Sequence, residues 1–382
     1  HKPMYFLKPY NAFGFIPHIE KDGYICYVSD EGLVINQESI YNIIRDSYGR
    51  VFDTIKKGIE GKNRIDFLNE FEAYWRNNTY CNGSIKSIIT LDTYIKKIII
   101  AYIENYGVVI AGNNKEDISN YSNKLLSDIK DEQIKYKHGL FIPLRKCTKI
   151  FPPPYNNFWS VKQIRRKIFN NLSSSNKNRL ERIVKKRRVT SDTLENIILN
   201  IPQPNGNSAV IGLYYTDFVA RKSNKSKYNK DYAHPLYKTD ARCKINLFAI
   251  ERHDSEYIVP RGGGSKGINN KKVALIGCGS VGSQIAFQLT KVGISNLLLI
   301  DEEKLDIENI YRHSLGIDKI YNPEYKSKPK NFTEQLKLSK VLGLKIELEN
   351  KLPYINIDYC SDPIEKIANE TKIDFGKFDL VI

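Results

Sequence analysis

No apolar run in these 382 residues approaches the roughly 18 that a membrane-crossing helix needs, so no membrane partner is expected. The opening stretch "HKPMYFLKPYNAFGF" lacks the charged, apolar and small-residue order of a secretory leader and has no starting Met. It reads as the interior of a domain, with the cytoplasm as the expected setting. The six cysteines, Cys26, Cys81, Cys147, Cys243, Cys278 and Cys360, form no CxxC pair and meet no HxxxH partner. Neither a zinc site nor a disulfide framework is expected, and a cysteine with a task here works alone. No internal repeat is read between about residues 80 and 250.

What is present is ample core material: 41% apolar residues over this length allow two or three domains. The formal charge of +16 suggests an anionic partner, and the densest basic run is "KQIRRKIFNNLSSSNKNRLERIVKKRR". That run carries no interleaved aromatics on which bases could stack, and Lys/Arg flank Leu180 and Ile183 as on the solvated face of an amphipathic helix. Nucleic-acid binding is therefore not expected.

Along the chain, "KDG" marks a turn between extended segments in residues 1–35. Ser39 can cap a helix through "IYNIIRDSYGRVFDTIKKG", with Tyr41, Ile44, Tyr48, Phe52 and Ile55 on one face and Gly58 near its end. A short helix "RIDFLNEFEAYW" and a boundary near Asn77 follow. Beyond it, "SIIT", "KIIIAYI", "GVVIAG", "AVIGLYYTDF" and "CKINLFAIER" read as strands, "KEDISNYSNKLLSDIKDEQIK" as a helix and "IFPPPYNNFW" as an irregular crossing. "RGGGSKGINNK" reads as a linker or loop. Strand "KVALIG", helix "SVGSQIAFQLTKVG" and strand "NLLLID" then make a βαβ unit with parallel strands.

Gly277, Gly279 and Gly282 spell GxGxxG between that strand and helix. The backbone can approach a phosphate there, and the helix N-terminus can face its charge. Asp301 ends the next strand, where a carboxylate can accept ribose hydroxyls. These four residues alone indicate a nucleotide with a ribose and leave an NAD-dependent oxidoreductase open.

The residues after Asp301 resemble the ThiF-type adenylating enzymes, relatives of the ubiquitin-activating enzyme: Glu303, then Asn309 and Arg312 in "ENIYRH", then Lys340, Leu348 and Pro353 in "SKVLGLKIELENKLP". The resemblance runs from about Lys272 to Ile382. It implies a Rossmann-like fold and ATP with Mg2+ in place of NAD, with a protein C-terminal carboxylate as second substrate. Attack on the α-phosphate builds charge on phosphoryl oxygens, which Arg312 and Lys340 would meet as catalytic cations, while Asn309 donates to phosphate or ribose. Arg252 or Arg261 could complete the clamp. The family's Mg-binding Asp follows the strand "FDLVI", and Ile382 ends the sequence, so these residues alone are expected to adenylate poorly or not at all. "DKIYNPEYKSKPKNFTEQL" is extra relative to short family members and forms either a loop over the nucleotide or surface decoration.

"IPHIEKDGYICY" resembles the active-site strand of ubiquitin-conjugating enzymes at Pro17, Ile19, Gly23, Ile25 and Cys26, with His18 where that family has the Asn that supports the oxyanion. The resemblance makes Cys26 the acyl-carrying thiol, since a thioester splits one hard acyl transfer into two easier ones. The other five cysteines are read as structural. A conjugating-like region, a middle region and "ENIYRHSLG" together resemble the conjugating–activating fusions of CBASS-type antiviral operons. That implies an α+β conjugating-like domain over 1–77, a mixed α/β middle domain over 78–250 and the α/β adenylation domain over 251–382. It also implies a ubiquitin-like protein or a nucleotidyltransferase C-terminus as partner, and a homodimer. A ThiF-type sulfur-carrier activator, or a scaffold that keeps the fold without turnover, are the other readings.

Overall fold

The computed structural model describes residues 2–28, 39–126, 129, 131–146, 148–189, 193–219, 232–237, 242–265, 267–321 and 337–382. Two compact units emerge: His1–Ile118 with Glu132–Glu251, and Ser119–Asp131 with Arg252–Ile382.

In chain order the first unit and its borders hold α1 (Ile40–Ile59), α2 (Asp66–Asn69), α3 (Phe71–Arg76), β1 (Cys81–Ser87), β2 (Lys96–Ile103), β3 (Val108–Gly112) and α4 (Lys115–Leu125). There follow β4 (Ile134–Pro143), α5 (Val161–Asn170), α6 (Ser174–Lys186), β5 (Arg188–Val189), β6 (Glu195–Pro202), β7 (Ser208–Val219), β8 (Tyr232–Ala233) and β9 (Arg242–Arg252). Seven strands close a barrel in the order β1-β3-β2-β4-β6-β7-β9. Strand alternation sorts the apolar residues into two sets. Ile98, Ile100, Phe141, Ile198, Val210 and Phe248 pack together. Their neighbours Leu140, Ile197, Leu199, Ile211 and Leu213 pack with Ile164, Ile168, Leu180 and Val184 of α5 and α6. Gly212 is required: a Cβ there would stand 1.9 Å from the Phe248 ring.

Three expectations change here, and one strand, β6, had no counterpart in the sequence reading. The strand expected over 87–90 is instead β1, because the chain leaves the ladder after the Ser87–Ala111 pair and drops Ile89, fully buried, into the core. The helix expected over 115–135 ends at Leu125, and β4 begins at Ile134, its first half masked by the polar run Lys135–His138. β6 shows no alternation because its residues are covered on both faces. The basic run forms two helices in place of one, each started by a serine cap, Ser160 and Ser173, with most of the charges exposed and Arg165 and Lys167 half-buried over Phe169 and Trp159.

α1 forms as expected, but its apolar stripe does not face a core. Tyr41, Ile44, Tyr48 and Phe52 are exposed, whereas Ser47, Val51 and Gly58 are buried. Seating comes from the opposite side: a Cβ on Gly58 would meet the Ile16 side chain at 2.8 Å, and Ser47 Oγ shares a 2.9 Å hydrogen bond with Tyr5 Oη. Ser39 precedes the helix, but its Oγ accepts from the Asn42 side chain and caps no backbone amide.

The second unit adds α7 (Ser255–Arg261), β10 (Lys272–Ile276), α8 (Ser280–Lys291), β11 (Asn296–Ile300), α9 (Lys340–Lys351), β12 (Asn356–Cys360), α10 (Ile364–Asn369) and β13 (Leu380–Val381). All pairings in its sheet, β12-β11-β10-β13, are parallel. This is the βαβ order read from the sequence. The register aligns Ile276 with Ile300 and Ile300 with Cys360, so Gly277 and Asp301 emerge side by side at the carboxyl edge, where open α/β sheets place ligands. From Gly262 to Lys271 the described residues form neither helix nor strand, as expected of the glycine-rich stretch.

Candidate active site

β10 delivers Gly277 with φ +84, a left-handed backbone that glycine adopts without strain. Its N–H donates to the Ile300 carbonyl at 2.8 Å. At Gly282 in the first turn of α8 a Cβ would lie 1.8 Å from the Gly277 carbonyl oxygen, so helix and loop pack backbone to backbone. At Gly277 and Gly279, by contrast, a Cβ would meet nothing within 4 Å. The loop is thus closed on its inner side and open on the side of the α8 N-terminus, a cradle that side chains would fill and a phosphate can enter.

Asp301 buttresses this loop. Its Oδ2 accepts the Cys278 N–H at 2.6 Å and its Oδ1 accepts the Glu303 N–H at 2.8 Å, which leaves further lone pairs for a ribose hydroxyl. The Glu303 carboxylate pairs with the Lys340 ammonium, and the Glu303 carbonyl accepts the Lys340 N–H at 3.0 Å. Lys340 is buried at the start of α9, while Glu303 is exposed. The hydrogen bond and charge of Lys340, with a further contribution from Arg312, hold the Glu303 carboxyl below the usual carboxylate range. The Lys340 charge also acts on Cys278 and His313. Asn309 closes a short turn: its Oδ1 accepts the Asp306 N–H at 3.1 Å, and its carbonyl receives the N–H groups of Arg312 (3.0 Å) and His313 (2.9 Å). Arg312 is exposed. Arg252, in contrast, is held bidentate by Asp254 at 2.9 and 2.8 Å, and both Arg252 and Arg261 lie over the Tyr257 ring.

In the first unit Cys26 sits at the end of a small hairpin. Its N–H donates to the His18 carbonyl at 2.8 Å, Ile19 bridges Ile25, and Gly23 makes the return with φ +92. A Cβ on Gly23 would fall 2.2 Å from the Leu7 carbonyl oxygen, which accounts for that glycine. The Cys26 residue is half-buried. His18, also at positive φ (67°), turns its ring to Asp66, with Nε2 2.9 Å from Oδ2, and to Glu70, with Nδ1 3.6 Å from Oε2. Its N–H donates to Tyr74 Oη at 2.9 Å. Burial pushes the Glu70 carboxyl up, an effect that His18 opposes and Asp66 reinforces. The residue standing at the oxyanion position of the conjugating family therefore spends its polar groups on a clamp to α2 and α3.

This clamp, like the contacts of the buried His313 ring with the Cys278 carbonyl and the Leu315 N–H, was not legible in the sequence, because ring-nitrogen partners are fixed by tertiary packing. Among the other cysteines, burial, followed by the Asp301 charge, pushes the buried Cys278 thiol up to about 12, and burial pushes the half-buried Cys243 to about 11, which suits inert thiols. Cys147 lies outside the described residues.

Comparison with known proteins shows two families. Residues 1–81 match the model of prokaryotic E2 family B, and residues 257–382 match that of the ThiF family. Over 323 residues the chain is 22% identical to the ATP-dependent ubiquitin transferase-like protein Cap2 of Pseudomonas aeruginosa, covering 79% of this chain and 53% of that protein. It therefore spans about half the length of that relative. Over 100 residues (26% of this chain, 16% of the relative) it is 37% identical to Cap2 of Enterobacter hormaechei. Similarity to the adenylyltransferase and sulfurtransferase UBA4 of Lodderomyces elongisporus is 26% over 91 residues, 22% of this chain and 20% of that one. Among solved structures, E. coli MccB with ATP matches at 20% identity over 31% of this chain and 29% of that one, TM-score 0.21. E. coli TcdA in complex with ATP matches at 17% over 30% and 40%, TM-score 0.23. The resemblances read from Gly277–Pro353 and from Pro17–Cys26 are borne out: residues 1–81 match prokaryotic E2 family B and residues 257–382 match the ThiF family.

Proposed function

We propose that this chain contributes ATP-dependent adenylation of the C-terminal carboxylate of a ubiquitin-like protein or signalling nucleotidyltransferase, followed by thioester transfer to Cys26 and delivery to an amine, in antiviral defence. The observation that carries this reading is the Gly277–Gly279 loop, open at the N-terminus of the 12-residue α8, with Asp301 beneath it and Lys340 beside it. ATP supplies an α-phosphorus with pyrophosphate as leaving group. The loop amides and α8 face the phosphoryl oxygens, Lys340 and Arg312 balance the charge that builds there, and Asp301 orients the ribose. Asn309 positions the arginine through its backbone carbonyl and offers its side-chain N–H groups to ligand. The acyl carbon of the resulting acyl-adenylate is then taken by a thiolate with loss of AMP, and the Cys26 thioester is opened by an amine with return of the thiolate. Mg2+ accompanying ATP, a flexible Gly-like tail on the activated protein, a homodimer and a cytoplasmic setting belong to the same proposal.

Calorimetry with ATP and with NAD tests it. ATP should bind, NAD should not, and Lys340→Ala should weaken ATP at least roughly tenfold through loss of a charge-assisted contact. NAD binding in place of ATP overturns the reading in favour of an oxidoreductase. A dithiothreitol-sensitive adduct with the partner should vanish in Cys26→Ala. If it persists, sulfur-carrier activation, which the similarity to UBA4 favours, takes its place.

A further inference from the structure

His313 is buried directly behind the glycine loop, and its two ring nitrogens have distinct partners. Nδ1 accepts the Leu315 N–H at 3.1 Å, so the proton resides on Nε2, which donates to the Cys278 carbonyl at 2.7 Å. Burial pushes this imidazole below the usual histidine range, with Lys340 acting in the same direction and the Cys278 carbonyl and Asp301 opposing, which suits the neutral tautomer that the hydrogen bonds require.

Cys278 is the middle residue of Gly277-Cys278-Gly279, and both its peptide groups are held by side chains: Asp301 takes its N–H and His313 takes its C=O. In a planar trans peptide the carbonyl and the following N–H point in opposite directions. Pulling the Cys278 carbonyl back to His313 therefore turns the Gly279 N–H away from His313, and the space around Gly279 is open, since a Cβ there would meet nothing within 4 Å. The next residue, Ser314, donates both its N–H and its hydroxyl to Ser283 Oγ of α8, each at 3.1 Å. Residues 313–314 thus fasten the turn that carries Arg312 to both the loop and the helix.

We infer that His313 is a positioning residue for the nucleotide phosphates: its Nε2–H fixes the Cys278–Gly279 peptide so that the Gly279 amide faces the anion, and it holds the Arg312 turn in register with that amide. This rests on the reading of the loop as a phosphate cradle. Its specific consequence is that His313 matters to a ligand's phosphates and not to its nucleoside.

ATP and adenosine are titrated by calorimetry into the intact chain and into His313→Leu and His313→Gln, with thermal melts recorded in parallel. His313→Leu should weaken ATP by about tenfold, the scale of one lost orienting hydrogen bond, and leave adenosine within twofold. His313→Gln, which keeps a side-chain N–H donor, should hold the ATP-to-adenosine affinity ratio within about threefold of the original. Equal losses for ATP and adenosine, or no loss for ATP, overturn the inference. If the leucine variant does not fold, the glutamine variant decides, and a tenfold fall in its ratio overturns the role given to the donor. Failure of the unaltered chain to bind ATP overturns the function proposed above instead, so the two failures are distinguishable.

Discussion

The glycine loop of the second unit and the Cys26 hairpin of the first solve the same problem in different ways. Each is built on a tight backbone turn, and each depends on a glycine whose Cβ would collide with a carbonyl oxygen, Gly282 against Gly277 and Gly23 against Leu7. The loop, however, is held from behind by residues far along the chain, Asp301 and His313, while its front stays open. The hairpin is held through His18, whose ring reaches sideways to Asp66 and Glu70. A phosphate cradle needs backbone amides aimed outward and so must be braced through backbone groups. A thiol needs only its strand fixed, and one clamped neighbour suffices.

The largest effect is expected where backbone meets backbone. Gly282→Ala forces a methyl group into the Gly277 carbonyl, which has no flexible end to yield, and should cost about 3 kcal/mol or more of stability in the second unit. Urea unfolding followed by a probe in that unit would show it, and a loss under about 1 kcal/mol would mean that the loop is looser than drawn. Gly279→Ala sharpens the contrast. Its methyl group enters open space, so the unfolding midpoint should hold while ATP weakens by about tenfold, the new Cβ occupying the approach of the phosphate.

An intermediate effect is expected in the hairpin. Asp66→Ala removes the 2.9 Å partner of His18 Nε2 and should cost about 1–2 kcal/mol, with faster alkylation of Cys26 by iodoacetamide as the strand loosens. Unchanged alkylation alongside lost stability would separate the clamp from the cysteine.

The same contrast explains what was legible beforehand. The βαβ unit, the glycine spacing and the place of Asp301 at the sheet edge could be read, because strand, glycines, helix and acid follow one another in local order. The Gly23 turn and Cys26 were legible for a similar reason. His313 stood within a quoted motif, yet its role was hidden, since nothing local says which carbonyl its Nε2 will reach. β6 was invisible for want of alternation, and β4 because Lys135–His138 disguise a strand that becomes apolar only at its far end. The open face of α1 is the inverse case: periodicity correctly gave a helix and its stripe, but periodicity carries no information on whether a partner lies against it.

The smallest effect concerns the Glu303–Lys340 pair, where burial is unequal. Lys340 is buried and Glu303 is 68% exposed in its side chain, so solvent screens much of the attraction and its net contribution should stay below about 1 kcal/mol. The sign is nevertheless fixed. A carboxyl whose folded pKa is depressed contributes stability that is fully present above the unfolded glutamate value of about 4.3 and is lost as pH falls through the folded value. Unfolding midpoints of the original chain and Glu303→Gln should therefore differ slightly at neutral pH and converge on acidification below about pH 4. A difference that does not change with pH would mean that Glu303 acts through shape alone. Lys340 would then be held by its place at the start of α9, and the cation offered to a phosphate would need no carboxylate to keep it in position.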